Sequence, residues 1–562
     1  MTTLTATESA AVASRPLRRS VTPWSWLASS GMITLLVAMP VIAVVYLALF
    51  PTENIWPHLL ETTLPLYLQN TLLLMLGVGT LSLLIGVSTA WVVTLCEFPG
   101  RRWLEWALLL PFAVPAYVIA YVYTDLLDYA GAIQVELRAL FGWTSARDYW
   151  FPEIRSLGGA ILMMSLVLYP YIYLLARSAF LEQSPSLFAA SRSLGHSAWA
   201  TLWRVVLPVA RPSIVVGLSL VLMETLNDFG TVDYFAVRTL TAGLFDTWNN
   251  LANVGGAAQI ASLMLLFVVF LITAERRSRR RQKQYAARDY RQPLQRFRLK
   301  RSRQYGCLAL CLTPVLLGFV VPAWVLADYA WRYFEVSWTP DFVRHTLSSL
   351  SLSATAACIT LLIGVVLAYS RRLHDTGIMR LLVRLSSLGY AMPGAVLAVG
   401  IIVPLAAVDN QLVDWLARVG IDSGLLLLGT PAALVFAYVV RFLAVSAGGI
   451  ESGLQKVTPS MDMASRSLGL GTLGTLVKVH VPILRTSLLT AALVVFVDCM
   501  KELPATLILR PFNYDTLATY VYQFASDEQL ERSALSALVI VIAGMIPVIL
   551  LSRSISASRE IQ

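Results

Sequence analysis

Apolar residues in this 562-residue chain gather into runs of about 18–25, separated by segments that hold most of the charge. A run of that length crosses the roughly 30 Å hydrocarbon layer of a bilayer as an α-helix. Lipid offers the backbone no hydrogen-bond partner, so each run must satisfy its own amides, and a helix does so. The pattern predicts twelve spans, at about residues 26–50, 70–95, 103–127, 158–178, 208–228, 257–274, 305–330, 347–369, 380–404, 424–445, 482–502 and 533–552. The expected fold is an all-α polytopic membrane protein. The first run follows Arg15, Arg18 and Arg19 like a secretion signal, but it is too long for one and reads as a retained span.

Composition agrees with this reading. Hydrophobic residues make up 57% of the chain and charged residues 14%, against roughly 25% charged in a soluble protein. The net charge of +10 changes meaning once it is located. Residues 275–304 hold thirteen Lys and Arg against two acids, so this one segment carries +11. A polybasic stretch between spans reads as a cytoplasmic loop beside anionic lipid, and no aromatic platform argues for nucleic acid. With an even span count both termini share a side, and the positive-inside rule puts both in the cytoplasm. The loops around Arg101–Arg102, Arg192–Arg211, Arg371–Arg380 and Arg466–Arg485 then face inward. The outward segment 128–157 is the least tidy, with three arginines against four acids. The five cysteines are odd in number and suggest neither a disulfide framework nor a metal site.

The chain also repeats itself. Residues 185–195 read PSLFAASRSLG and residues 459–469 read PSMDMASRSLG, identical at eight of eleven positions with an offset of 274. Earlier in each half the offset is 278, where residues 83–87 and 361–365 both read LLIGV. Polar residues recurring at a fixed offset mark a duplication, sought before any site. The expected domains are a cytoplasmic tail (1–25), a six-helix half (26–274), the basic linker (275–304), a second six-helix half (305–552) and a cytoplasmic tail (553–562). Because each half has an even number of spans, the halves are parallel repeats.

Each repeated loop lies between the fourth and fifth spans of its half. Ser184-Pro185 and Thr458-Pro459 open a short helix in the manner of an N-cap and a first-turn proline. Gly195 and Gly469 can end it in a left-handed conformation. Pro208 and Pro482 then stand where the next span is expected to open. This spacing resembles the cytoplasmic loop of ATP-binding-cassette importer permeases, E-A-A-x₃-G-x₉-I-x-L-P. The resemblance implies that Ala190, Ser191, Arg192, Gly195 and Pro208, with Ala464, Ser465, Arg466, Gly469 and Pro482, form two loops that dock onto two separate ATPase subunits. The family's glutamate is replaced by Ala189 and Met463. No Gly-Lys dipeptide occurs anywhere, hence no phosphate-binding loop, so ATP is expected to be used by the partners and the chain not to be an enzyme.

The span after each loop ends in acids: Glu224 and Asp228 in the first half, Asp498 and Glu502 in the second, matched at offset 274. Within each pair the i, i+4 spacing puts both carboxylates on one helix face. Ionisable groups at membrane depth commonly face a pathway, so these four, with Lys501, are candidates for lining the outer mouth of a pore that favours a cation. The structural alternative is equally open: Lys501 neutralises Asp498 or Glu502, or the acids cap helix ends. Residues 226–235 (LNDFGTVDYF) and 500–523 (MKELPATLILRPFNYDTLATYVYQ) resemble the ferric-iron permeases of the importer family. That resemblance implies a periplasmic binding protein as partner, the bacterial inner membrane as location and no cofactor on this chain. Thiamine, sulfate and polyamine permeases share the architecture or the loop. An ion-gradient-driven secondary transporter also fits twelve spans in two halves, though it needs no paired docking loops.

Overall fold

The computed structural model describes residues 24–181, 183, 187, 191, 193–280, 296–455 and 457–560. Eleven helices among them are long and apolar enough to cross a membrane: α1 (Trp24–Leu49), α2 (Leu64–Leu95), α3 (Leu157–Leu181), α4 (Leu202–Asn227), α5 (Val254–Arg277), α6 (Arg301–Arg332), α7 (Pro340–Leu373), α8 (Gly394–Arg418), α9 (Pro431–Leu454), α10 (Thr472–Lys501) and α11 (Leu530–Ile549). A bent pair, Arg101–Ala113 and Ala116–Phe141, turns through 90° and brings the count to as many as twelve. The protein is an all-α polytopic membrane protein. Its one exception among the described residues is a two-residue parallel strand pair, Cys96–Glu97 with Phe297–Arg298.

The third expected span of each half is not a single helix. In the first half a helix over Arg101–Ala107 passes into a 3₁₀ turn, Leu110–Ala113, before Val114 goes extended and a new helix starts at Ala116. In the second half Gly377–Ser386 and Leu388–Ala391 precede extended Met392, and α8 starts at Gly394. Both breaks have one cause. Pro115 and Pro393 exclude the helical conformation from the residue before them, and Val114 and Met392 accordingly sit at ψ 122° and 130°. The expected spans 103–127 and 380–404 are therefore corrected to a broken segment and to residues 394–418. The tenth span moves from 424–445 to 431–454.

Prolines elsewhere act differently. Pro208 and Pro482 were expected to open their spans, yet α4 and α10 begin six and ten residues earlier. The helix runs through each proline by way of a π-helical turn, Leu202–Val206 or Leu476–His480. A third π turn, Leu316–Val320, precedes Pro322 in the same register. A proline without an N–H, whose ring also crowds the preceding turn, is accommodated by widening that turn.

Packing follows the duplication. In the first half α2, α3 and α4 pack together, and in the second α7, α9 and α10 do the same. The first span of each half leaves its own three-helix core: α1 lies on α8 of the second half, and α6 lies on the broken segment of the first half as well as on α11 of its own. The last spans also reach across, α5 to α8 and α11 to Leu110–Ala113. The larger buried cluster accordingly mixes residues from α2 and α3 with residues from α6 and α11.

Candidate translocation cavity and coupling loops

The breaks at Pro115 and Pro393 leave backbone carbonyls without helical partners, and both breaks face one central cavity. Its volume is about 140 Å³, and it is lined by Glu224, Asn227 and Asp228 from the end of α4, Asp498, Lys501 and Glu502 from the end of α10, and Arg441 from α9. Phe112, Tyr171 and Tyr390 complete the wall. Irregular backbone at membrane depth is tolerated where it lines such a cavity. All five candidate pathway residues converge here.

The four acids fall into two kinds. Asp228 accepts the backbone N–H of Thr231 at 3.0 Å, that of Val232 at 3.3 Å and the Thr231 hydroxyl at 3.0 Å. It caps the short helix Gly230–Tyr234. Glu502 accepts the N–H of Ala505 at 3.2 Å, at the start of helix Pro504–Leu509. These two carboxylates perform the helix-end role that the sequence left open. Glu224 and Asp498, the other matched pair, accept no backbone hydrogen bond among the described residues and are only half-buried, facing the cavity.

The cations are held by protein oxygen. Arg441, 5% exposed, places Nε 3.2 Å from Glu502 Oε2. Its Nη1 donates to Asn227 Oδ1 at 3.1 Å and to the Met392 carbonyl at 3.4 Å, the one freed by the second break. The Gly394 N–H donates to the same Asn227 oxygen at 2.6 Å. A Cβ at Gly394 would overlap Glu502 Oε1 and stand 2.8 Å from Arg441 Nη1, so only glycine leaves room for the pair. Lys501 does not neutralise Asp498 or Glu502 by a direct ion pair among the described residues. It donates to the Phe112 carbonyl at 3.1 Å, beside the first break, and lies over the Phe112 ring. Four carboxylates against two cations leave a formal charge of −2.

Sequence reasoning missed Arg441, Asn227, Tyr171 and Tyr390. A signal existed for the first: a lone arginine inside the apolar run VFAYVVRFLAV is costly unless it has a task. The matching first-half helix, α3, carries its one basic residue, Arg177, near its C-terminal end, paired with Glu105.

The two repeated loops are built alike where both are described. Gly195 and Gly469 adopt φ +78° and +82°, the left-handed cap expected of them. Across each glycine a hydroxyl pair closes the turn, Ser191 with Thr201 at 2.9 Å and Ser465 with Thr475 at 2.8 Å. The short helix of the second loop spans Pro459–Ser467 and holds Ala464, Ser465 and Arg466. Ala190 and Arg192 lie outside the described residues. Where the family's glutamate is replaced by Met463, the preceding Asp462 is bound by Arg372 at 2.9 Å and by His480 Nε2 at 2.6 Å. Arg372 also donates to the carbonyls of Leu454 and Val457. The loop is thereby tied to the ends of α7, α9 and α10.

Two similarly packed cores that share outer spans, a charged cavity lined by both and a glycine-capped loop in each are features of the membrane subunit of a transporter. Residues 10–284 match the family described as "Binding-protein-dependent transport system inner membrane component". The chain is 23% identical over 492 residues to the Fe(3+)-transport system permease protein FbpB 2 of Haemophilus influenzae, covering 86% of this chain and 89% of that one. It is 26% identical over 511 residues to the probable ABC transporter permease protein y4fN of Sinorhizobium fredii, 85% of each chain. Over 216 residues it is 29% identical to the molybdenum transport system permease protein ModB of Escherichia coli, 36% of this chain and 91% of that one. The chain is an ATP-binding-cassette importer permease related to these proteins, a transport subunit whose family leaves ATP hydrolysis to separate ATPase subunits.

Proposed function

We propose that this permease carries a hard cation, ferric iron, handed to its outer face by a substrate-binding protein. Two ATPase subunits dock on the loops at 184–208 and 458–482, both termini lie in the cytoplasm, and closure of the ATPases alternates access to the cavity. The observation that carries this reading is the pair Glu224 and Asp498. They are two-fold-related carboxylates that face the cavity with no backbone hydrogen bond among the described residues, in a site of formal charge −2. Carboxylate oxygen suits hard cations. Among the described residues no three His, Cys, Asp or Glu side chains are grouped to hold a metal, and an ion in transit needs sites it can leave. The long match to an Fe(3+)-transport permease points the same way.

A second reading rests on Arg441 and Lys501, which also line the cavity and suit an oxyanion, in keeping with the shorter match to a molybdenum permease. Arg441 is committed to Glu502 and Asn227, and Lys501 to a carbonyl, which favours the cation. Competition separates the two readings. In proteoliposomes holding the full complex, excess ferric chelate should suppress uptake of labelled iron, while molybdate, sulfate and thiamine should not. ATP-dependent molybdate or sulfate uptake without iron uptake would overturn the substrate and leave the importer class intact.

A further inference from the structure

A second large cavity lies away from the central one, on the lipid-facing side of the first core. It is a groove of about 1170 Å³ between α2, α4 and α6. That exceeds the roughly 300–1,000 Å³ usual for a small-molecule site. Its floor is aliphatic, with Leu84, Val87 and Leu218 among the residues that line it. Arg211 from α4 and Arg303, two residues into α6, also line it, both exposed. Neither arginine has an acidic partner within 4 Å among the described residues. Trp203, 57% exposed, stands beside them, and tryptophan is favoured at the headgroup level of a membrane. Gly306 of α6 faces the groove without a side chain, and a Cβ built there meets nothing within 4 Å.

We infer that this groove binds one anionic phospholipid of the cytoplasmic leaflet, with acyl chains along α2 and α4 and the headgroup phosphate between Arg211 and Arg303. The orientation rests on the one proposed above; the groove and its charge do not. Two cations from different helices lining an apolar groove complement an amphiphile with a negative head, and a neutral lipid would leave both without a counter-charge among the described residues. Cytoplasmic-side basic pockets between spans are suited to such headgroups. The assignment has a structural consequence. Leu202 and Trp203 follow the Gly195 turn, whereas Arg303 belongs to the first span of the second half. The lipid therefore bridges the first coupling loop to the opposite half. The counterpart of Arg211 in the second half, Arg485, does not line this groove.

The test uses the purified full chain in mixed micelles with equal phosphatidylglycerol and phosphatidylcholine, and counts retained lipids by native mass spectrometry. Wild type should retain one phosphatidylglycerol with about twenty-five-fold preference, given roughly five-fold per arginine near a charged surface. The R211Q/R303Q variant should bring the two lipids within about two-fold, and R485Q should leave the preference unchanged. Gly306→Trp, which keeps both charges but fills the groove, should lower retention of either lipid. Equal retention of both lipids by wild type would overturn the assignment, as would a preference that survives R211Q/R303Q or retention unchanged in Gly306→Trp. None of these readouts requires transport, so a failed iron assay leaves them standing and the reverse also holds.

Discussion

Arg441 shows how a single charge is kept at membrane depth. Its guanidinium meets the Glu502 carboxylate, the Asn227 amide oxygen and a carbonyl that Pro393 frees from the helix. Removing one partner of a buried ion pair strands the other, at a cost of about 3–5 kcal/mol. Arg441→Met should therefore lower thermal stability of the detergent-solubilised protein by that order. The double variant R441M/E502Q should recover much of the loss, because the stranded carboxylate is then gone. Equal stability of R441M and wild type would show that the pair carries no such energy. At this scale the sequence was partly legible. The four acids and Lys501 were visible as charges in apolar runs, but the division of labour among the acids was not. That division depends on where the next short helix begins, since Asp228 and Glu502 each stand just before one and Glu224 and Asp498 do not. Tyr171 and Tyr390 gave no signal, because an aromatic residue in a span is ordinarily packing.

Among the elements, the spans were legible because length and apolarity suffice to place a helix across a bilayer. The breaks before Pro115 and Pro393 were not placed from the sequence. A proline can end a helix, kink it or be absorbed by a π turn, and packing decides among these outcomes. All three π turns precede a proline by two residues, and the two 3₁₀ breaks face the cavity. The charges of segment 128–157, expected to face outward and untidy by the positive-inside rule, have a local explanation. Arg138 donates to the Tyr129 carbonyl, and Arg155 binds Asp128 at 3.3 Å and Glu528 at 2.5 Å. Those arginines serve the local fold of the segment. In the second repeated loop Asp462, next to the position of the missing family glutamate, is held by Arg372 and His480, and the repeat comparison could not single it out because Phe188 stands at the matching position. Asp462→Ala should remove the charge-assisted hydrogen bonds from Arg372, worth on the order of 1.5–3 kcal/mol. Stimulation of the partner ATPases by loaded binding protein should fall at least about five-fold, with the permease still assembled. Gly469→Val forces a β-branched residue to φ +82° and should act in the same direction. Normal stimulation in both variants would mean that the loop's geometry is not what transmits closure.

At the level of the whole molecule, each half lends its first span to the other. The contacts of α1 with α8, of α6 with the broken segment of the first half, and of α11 with Leu110–Ala113 make the halves interlocked and not merely adjacent. A protease site placed between residues 281 and 295, cut after membrane insertion, should leave the two fragments co-purifying through detergent extraction. Separation on cutting would mean that the covalent link is needed to hold the halves together. The same interlocking places matched residues of the two halves around one cavity, where Glu224 and Asp498 meet. The central claim is that this pair forms the cation pathway, and ATP-driven uptake of radiolabelled ferric iron by the reconstituted complex tests it most directly. E224Q/D498N should assemble normally, keep loop-dependent ATPase stimulation and lose at least about ten-fold in iron uptake. Uptake at the wild-type rate in that variant, at equal protein in the membrane, would contradict the account.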